Sequence, residues 1–356
     1  CALEYIVYSD TAAMRAQLRS TALLLAALLL IQLLCAPVSA VTAEPAADAQ
    51  ADAQTATDNS AEDAAAADDS VPEDQLLSSR EQFSVAAKAA LLIDLNTNRV
   101  VYEQDADERV YPASLTKIMT CLIALENGNL SDVVTVSESA LADLDEDSSV
   151  AGLVVGEQMT LENLLYCMMV VSGNDACNVI AEHVAGSVTD FVRMMNQRAY
   201  ELGCTNTHFN NPHGLHDESH YTTARDLAII TQAALKSENF RQIVDTYEYK
   251  LPDDNMRQNI PKLKTTNMLI YQSMSNSLYY PRAHGIKTGY TSQAGRCVIS
   301  EATGDGLDLL GIVCGAATTV LDSGDLLMEN FTECARLFDY GFDNYSYLTL
   351  MSPLYP

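Results

Sequence analysis

The chain has 356 residues, with 48 acidic side chains against 20 basic ones, a net charge of −28, and 48% of its residues apolar. Such a polyanion repels nucleic acid and anionic membrane surfaces, and no basic stripe or zinc-type Cys/His spacing argues otherwise, so nucleic acid is set aside as a partner. The apolar fraction suffices for a large core in one big domain or two small ones.

Residues 1–13 precede Met14 and read as a misplaced start rather than as structure. From Met14, Arg15 and Arg19 make a short basic region, residues 22–34 an apolar run, and Val38-Ser39-Ala40 a small-residue site. That is the pattern of a secretory signal over 14–40, cleaved after Ala40. The run falls short of the roughly 20 apolar residues of a membrane span, and an uncleaved signal anchor is the alternative. The chain is therefore expected to be exported. Residues 41–80 contain ten acidic residues, one base (Arg80) and almost no large apolar side chain. Burial there cannot offset chain entropy, so an acidic disordered linker is expected.

From about residue 84 the pattern becomes that of a folded domain, taken as 81–342, with 343–356 as a C-terminal tail. Residues 89–95 and 99–103 are β-rich runs around Asn96-Thr97-Asn98, a hairpin signal. A helix is expected from Ser114 through Ile118, Met119, Leu122 and Ile123 to a stop at Gly128. Further helices are expected over 161–171 and 175–184, the second closed by Gly186. Ser187 with Asp190 and Thr223 with Asp226 have capping-box spacing ahead of helices reaching Leu202 and Leu235. Strands over 285–290, 295–302 and 307–315 follow, the last two joined by Gly304-Asp305-Gly306, and a helix over 325–338 closes the domain. The order predicts an α+β fold: an antiparallel sheet, flanked by helices, whose first and last strands are separated by an all-helical insertion, with a cleft between sheet and helical lobe. Seven cysteines remain beyond the signal, an odd number without regular spacing, and are expected to be free and buried.

Three short motifs carry chemistry. In Ser114-Leu115-Thr116-Lys117, a serine at a helix start has a lysine one turn later on the same face. A serine hydroxyl needs an adjacent base, and a lysine kept neutral by burial can serve. Taken alone, a capping serine followed by a solvated lysine explains the pattern equally well. Ser172-Gly173-Asn174 breaks one helix before the next and presents a hydroxyl and an amide; by itself it reads as a turn. Lys287-Thr288-Gly289 lies in a late strand, with Lys287 and Thr288 on opposite faces and Gly289 allowing close approach.

In this order, S-x-x-K, S-x-N and K-T-G resemble the signature of penicillin-binding proteins and serine β-lactamases. Tyr111-Pro112-Ala113 before the first motif, Asp175-Ala176 after the second, Asn211-Pro212-His213-Gly214-Leu215, and Tyr290-Thr291 after the third make the chain most similar to low-molecular-mass serine D-alanyl-D-alanine carboxypeptidases. The resemblance implies a β-lactamase/penicillin-binding transpeptidase-like fold and removal of the terminal D-alanine from peptidoglycan stem peptides through a serine acyl-enzyme, without cofactor or metal. It implies Ser114 as nucleophile, Lys117 as its base, Ser172 and Asn174 in proton relay and amide binding, and Lys287, Thr288, Gly289 and Tyr290 in substrate binding. The Ser114 and Tyr290 N–H groups would form the oxyanion hole, and β-lactams would act as covalent inhibitors.

His213 is either an acid–base group or, preferably, a loop-ordering one, and Arg225 ties down the start of its helix. Two departures stand out. Relatives often continue into a β-rich second domain and an amphipathic membrane helix, which is absent or truncated here. Residues 317–325 also lack the basic residue that relatives place near the substrate carboxylate, leaving Lys287, Thr288 and Arg296. The alternatives are a serine β-lactamase, for which the E-x-x-L-N pattern is missing, and a non-catalytic wall-binding module, which has no need of the complete motif set.

Overall fold

The computed structural model describes residues 5–8, 83–142, 144, 148–321 and 326–348. The expected signal segment 14–40, the acidic linker 41–80 and the tail beyond 348 lie outside the described residues. In chain order come β1 (Tyr5–Tyr8), the hairpin β2 (Ala89–Asp94) and β3 (Arg99–Gln104), a 3₁₀ turn (Ala113–Thr116) running into α1 (Lys117–Asn127), then β4 (Val133–Thr135), α2 (Glu138–Ala142) and β5 (Gln158–Thr160). Helices α3 (Leu161–Val170), α4 (Asn174–Ala185), α5 (Val188–Glu201), α6 (Ala224–Ala234) and α7 (Glu238–Val244) follow, with the short strands β6 (Glu248–Tyr249) and β7 (Leu263–Lys264). The chain returns through β8 (Ala283–Thr291), β9 (Gly295–Gly304), β10 (Leu307–Ala316), β11 (Thr318–Val320), β12 (Leu326–Met328), α8 (Glu329–Asn344) and β13 (Tyr345–Leu348).

The main sheet is antiparallel with strand order β3-β2-β10-β9-β8. Everything from α1 to β7 is inserted between its first hairpin and its last three strands, as the sequence order predicted. Strand β2 is buried along its whole length, because the sheet is covered on both faces. On one face Gly311 packs against Phe338 of α8 so closely that a Cβ would lie 2.9 Å from the ring, and Gly341 of α8 lies equally close to Leu92 and Leu309. On the other, Leu91, Ile93, Leu310 and Ile312 join Ile118, Leu122, Leu165, Ile180 and Phe191 of the helical lobe in one core. Two-sided burial explains why these strands read as continuous apolar runs.

Local signals shaped the connections. Asp305 and Gly306 both adopt positive φ (52° and 84°) between paired Gly304 and Leu307, the two-residue turn that matches strand twist. The Ser187 hydroxyl accepts from Asp190 N, and the Thr223 hydroxyl from Asp226 N, each at 3.0 Å, capping α5 and α6. All seven cysteines from Cys121 to Cys334 are free and buried.

Three expectations are corrected. The α-helix begins at Lys117 rather than Ser114, because residues Ala113–Thr116 form a tighter 3₁₀ turn. The last helix spans Glu329–Asn344 rather than 325–338, since Leu326–Met328 pairs as a strand with Thr318–Val320. Helix α7 and the two- and three-residue strand pairs went unread, being too short for any periodicity to register. The stretch ahead of Met14, read as lacking structure, contains strand β1, which pairs antiparallel with β13.

Candidate active site

Ser114 sits in the 3₁₀ turn, where residues three apart eclipse one another. Lys117 therefore lies directly over it, and its Nζ donates to Ser114 Oγ at 2.9 Å. Helix α1 is buried around most of its circumference, Lys117 included at 0% exposure. The same Nζ also donates to Asn174 Oδ1 at 2.7 Å and to the His213 carbonyl at 2.8 Å. Burial pushes the Lys117 pKa down to about 8, with the Asp175 charge working the other way.

Asn174 opens α4 at the corner after α3. Ser172 turns that corner with φ of 63°, and its backbone is held by Gly173 N to Cys167 O (3.1 Å) and Asn174 N to Ser149 O (2.8 Å). A non-glycine residue at positive φ persists only where its surroundings over-determine it. The turn that carries Ser114 has the same property, since Ala113 adopts φ of 47°.

Strand β8 brings the third motif alongside. Lys287 is 1% exposed, and its Nζ donates to Ser172 Oγ at 3.1 Å and to the Thr288 carbonyl at 3.0 Å. Burial first, and the neighbouring Lys117 charge second, hold its pKa well below the usual lysine range. Thr288 Oγ1 pairs with Thr266 Oγ1 at 2.6 Å. Gly289 passes so near the nucleophile turn that a Cβ would sit 3.1 Å from both Pro112 O and Ser114 N. This strand can approach the serine only because it carries glycine there. Tyr290 is 56% exposed, and the Arg296 guanidinium lies 4.5 Å over its ring while Arg296 Nε donates to Thr318 Oγ1 at 2.9 Å.

All eight residues singled out in the sequence thus converge: Ser114, Ser172, Asn174, Thr288, Gly289 and Tyr290 line one cleft of about 360 Å³, and Lys117 and Lys287 lie beneath it. Arg296 is the one acidic or basic side chain among the described residues lining it, apart from His213. Burial lowers the His213 pKa to about 3, so its ring is neutral, and its Nδ1 accepts from Leu215 N at 3.2 Å. The ring orders the loop while the backbone carbonyl holds Lys117. Arg225 spans to Asp107 and Glu103 at 2.7 Å each, and none of the three lines the cleft. Among the described residues no group of three or more His, Cys, Asp or Glu side chains is arranged to hold a metal.

Sequence reasoning missed two supports. The Asp175 carboxylate accepts the N–H groups of Ala151, Gly152 and Leu153 at 2.9–3.0 Å, while Arg257 donates to the Gly152 carbonyl at 2.8 Å and binds buried Glu157. Together they clamp the loop whose Ser148 and Ser149 wall the cleft. The other support is His220, buried behind the nucleophile turn. No local pattern announces either, because the partners are remote in sequence.

A serine backed by two buried lysines, between a helical insertion and the edge strand of an antiparallel sheet, defines the penicillin-binding transpeptidase-like class. A Streptomyces DD-transpeptidase superposes with a TM-score of 0.64 at 30% identity, covering 73% of this chain and 98% of that one. Penicillin binding protein 5 of Haemophilus influenzae gives 0.63 at 32%, covering 73% and 72%. The D-alanyl-D-alanine carboxypeptidase family model matches residues 76–318, and the chain belongs to that family. It is 38% identical over 267 residues to D-alanyl-D-alanine carboxypeptidase DacF of Bacillus subtilis and 35% identical over 268 residues to DacA of Haemophilus influenzae. In each case the match covers 73% of this chain and 63% of the relative, so the chain spans somewhat less than two thirds of their length.

Proposed function

We propose that the protein is an exported serine D-Ala-D-Ala carboxypeptidase that trims peptidoglycan stem peptides through an acyl-enzyme on Ser114 and is acylated there by β-lactams. One observation carries this reading. A neutral lysine has two N–H bonds and one lone pair. Asn174 Oδ1 and the His213 carbonyl can only accept, and at 2.7 and 2.8 Å they take both N–H bonds. Once the amine has lost the third proton, the one it otherwise donates to Ser114 Oγ at 2.9 Å, its lone pair faces that oxygen, the arrangement a general base requires.

The steps follow from that geometry. Ser114 Oγ bonds to the carbonyl carbon of the penultimate D-Ala as its proton passes to Lys117 Nζ. The carbonyl π pair moves onto oxygen, received by the Ser114 and Tyr290 N–H groups. Collapse breaks the C–N bond, and the proton that Lys117 took from Ser114 passes through the Ser172 hydroxyl, which Lys287 backs at 3.1 Å, to the departing D-Ala nitrogen, so that Lys117 is neutral again. Water then attacks the ester, gives a proton to Lys117, and Ser114 Oγ leaves with one. The terminal carboxylate is met by Lys287, Thr288 and Arg296, and its charge restores the proton that burial makes Lys287 hold weakly. Such a substrate lies outside the cytoplasm, in keeping with the signal pattern over 14–40.

The test is an intact-mass time course with penicillin beside a D-Ala release assay. A long-lived adduct of one penicillin, with D-Ala release, both lost in Ser114→Ala at unchanged melting temperature, is the expected result. An adduct that survives Ser114→Ala moves the nucleophile elsewhere, no adduct makes the protein a binding module, and rapid turnover of the drug makes it a β-lactamase.

A further inference from the structure

Behind the nucleophile turn lies a chain of hydrogen bonds whose direction is fixed at one end. Asn210 N–H, which can only donate, reaches His220 Nδ1 at 3.1 Å. His220 is 2% exposed, and burial lowers its pKa to about 4, so the ring is neutral and its one N–H is on Nε2. That nitrogen lies 2.8 Å from Thr116 Oγ1 and must donate to it. With its lone pair so engaged, the Thr116 hydroxyl directs its own proton to the Ala113 carbonyl, 2.8 Å away. Thr116 is 1% exposed, and no water competes for that proton.

The Ala113 carbonyl belongs to the same planar peptide as the Ser114 N–H, and in a trans peptide the two point in opposite directions. Whatever holds the carbonyl aims the N–H. Here the carbonyl is pulled toward Thr116 and the 213–220 loop, where a Cβ on Gly214 would lie only 1.8 Å from it. The N–H therefore faces away from that loop. On the other side of the turn runs β8, close enough that a Cβ on Gly289 would sit 3.1 Å from the Ser114 nitrogen. The Ser114 N–H is also one of the first in its turn, and such groups find no acceptor within it. The strain of Ala113 at φ of 47° shows that this peptide does not hold its orientation unaided.

We infer that Thr116 and His220 are positioning residues: their relay fixes the Ala113–Ser114 peptide so that the Ser114 N–H is a preset oxyanion donor. Neither touches the substrate. The relay rests on the proposed acyl-enzyme chemistry for its catalytic meaning, though not for its geometry. It gives the third residue of S-x-x-K a task, since a threonine both accepts from His220 and donates to Ala113, and it assigns a use to a histidine 104 positions away.

The test uses four variants of the full chain. Thr116→Val keeps the shape but neither accepts nor donates, whereas Thr116→Ser keeps the hydroxyl. His220→Leu removes the donor, whereas His220→Gln offers an amide N–H to Thr116. Misaligning one oxyanion donor costs on the order of 10²-fold in the chemical step. Thr116→Val and His220→Leu are expected to slow acylation by penicillin and lower kcat by about that factor, with KM within threefold. The midpoint of the pH–rate profile stays put, because Lys117 is untouched, and Thr116→Ser and His220→Gln recover most of the rate. Wild-type rates in Thr116→Val overturn the inference. So does a parallel fall of kcat, KM and melting temperature that Thr116→Ser and His220→Gln fail to reverse, which is the signature of packing alone. If the wild-type chain forms no acyl-enzyme, the proposed function fails separately. A crystal structure of Thr116→Val then decides the relay: a rotated Ala113–Ser114 peptide upholds it, and an unmoved one overturns it.

Discussion

Buried acids away from the cleft and the buried lysines at its floor are handled differently. Near the end of β9 remote from the cleft, Glu301 is 5% exposed and both its oxygens receive Arg241 Nη1 at 2.9 Å. Buried Glu157 is likewise held by Arg257. Each acid meets its opposite. At the cleft floor, Lys117 and Lys287 are both buried, and their amines donate to neutral oxygens: Ser114, Asn174 and His213 for one, Ser172 and Thr288 for the other. The nearby Asp175 carboxylate is occupied with backbone N–H groups of the 151–153 loop. An ion pair stabilises both charges and leaves neither reactive. An ammonium among neutral acceptors loses its proton easily, and that is the property a base requires. The same physics of burial thus yields structure in one place and reactivity in the other.

The sharpest way to break this comparison is to remove the uncompensated amine. Lys117→Gln is expected to lower acylation by penicillin by about 10³-fold while leaving the fold intact by circular dichroism. On the proposed mechanism the neutral amine is the reactive form, so acylation in the wild type is expected to rise with pH through about 8, the depressed pKa of Lys117. A profile flat between pH 6 and 10, read by stopped-flow acylation, would show that Lys117 is not the titrating base. At the structural end the expectation reverses. Arg241→Ala leaves Glu301 buried without its partner and is expected to cost about 2 kcal/mol of stability by urea denaturation, discounted because Arg241 is 38% exposed, with kcat unchanged. A loss of kcat without loss of stability would put that cluster on the functional side. The smallest effect belongs to Arg296→Ala, which removes a half-buried charge from the cleft wall. KM for a D-Ala-D-Ala peptide is expected to rise about tenfold with kcat nearly constant, and an unchanged KM would leave the carboxylate to Lys287 and Thr288.

The sequence made some of this plain and hid the rest for physical reasons. Ser114 and Lys117 are one turn apart, and Ser172 and Asn174 flank one glycine, so local spacing places each pair. The buried strands β2, β9 and β10 announce themselves as apolar runs, and Asp305-Gly306 as their turn. The joining of the three motifs into one cleft came from a resemblance, since no local rule brings Lys287 to Ser172 across 115 positions. Hidden entirely were supports that consist of one side chain meeting a distant backbone. Asp175 looked like the residue after a motif and proved to be a clamp on residues 151–153. His220 has no metal-type spacing, and nothing near it in sequence points to Thr116, 104 positions away. The late start of α8 was concealed because Leu326-Leu327-Met328 suits helix as well as strand, and only pairing with Thr318–Val320 decided it.

The close fit of Gly214 against Ala113, with the His213 carbonyl on Lys117 and the His220 ring on Thr116, has a consequence for the order in which the protein is made. The nucleophile motif leaves the ribosome about a hundred residues before the segment that organises it. A chain cut between Asn174 and His213 would contain S-x-x-K and S-x-N in full, yet have neither the His213 carbonyl on Lys117 nor the His220 ring on Thr116. On the proposed mechanism the unfinished polypeptide is expected to be chemically silent during synthesis, and a fragment bearing those two motifs alone is not expected to act as an enzyme.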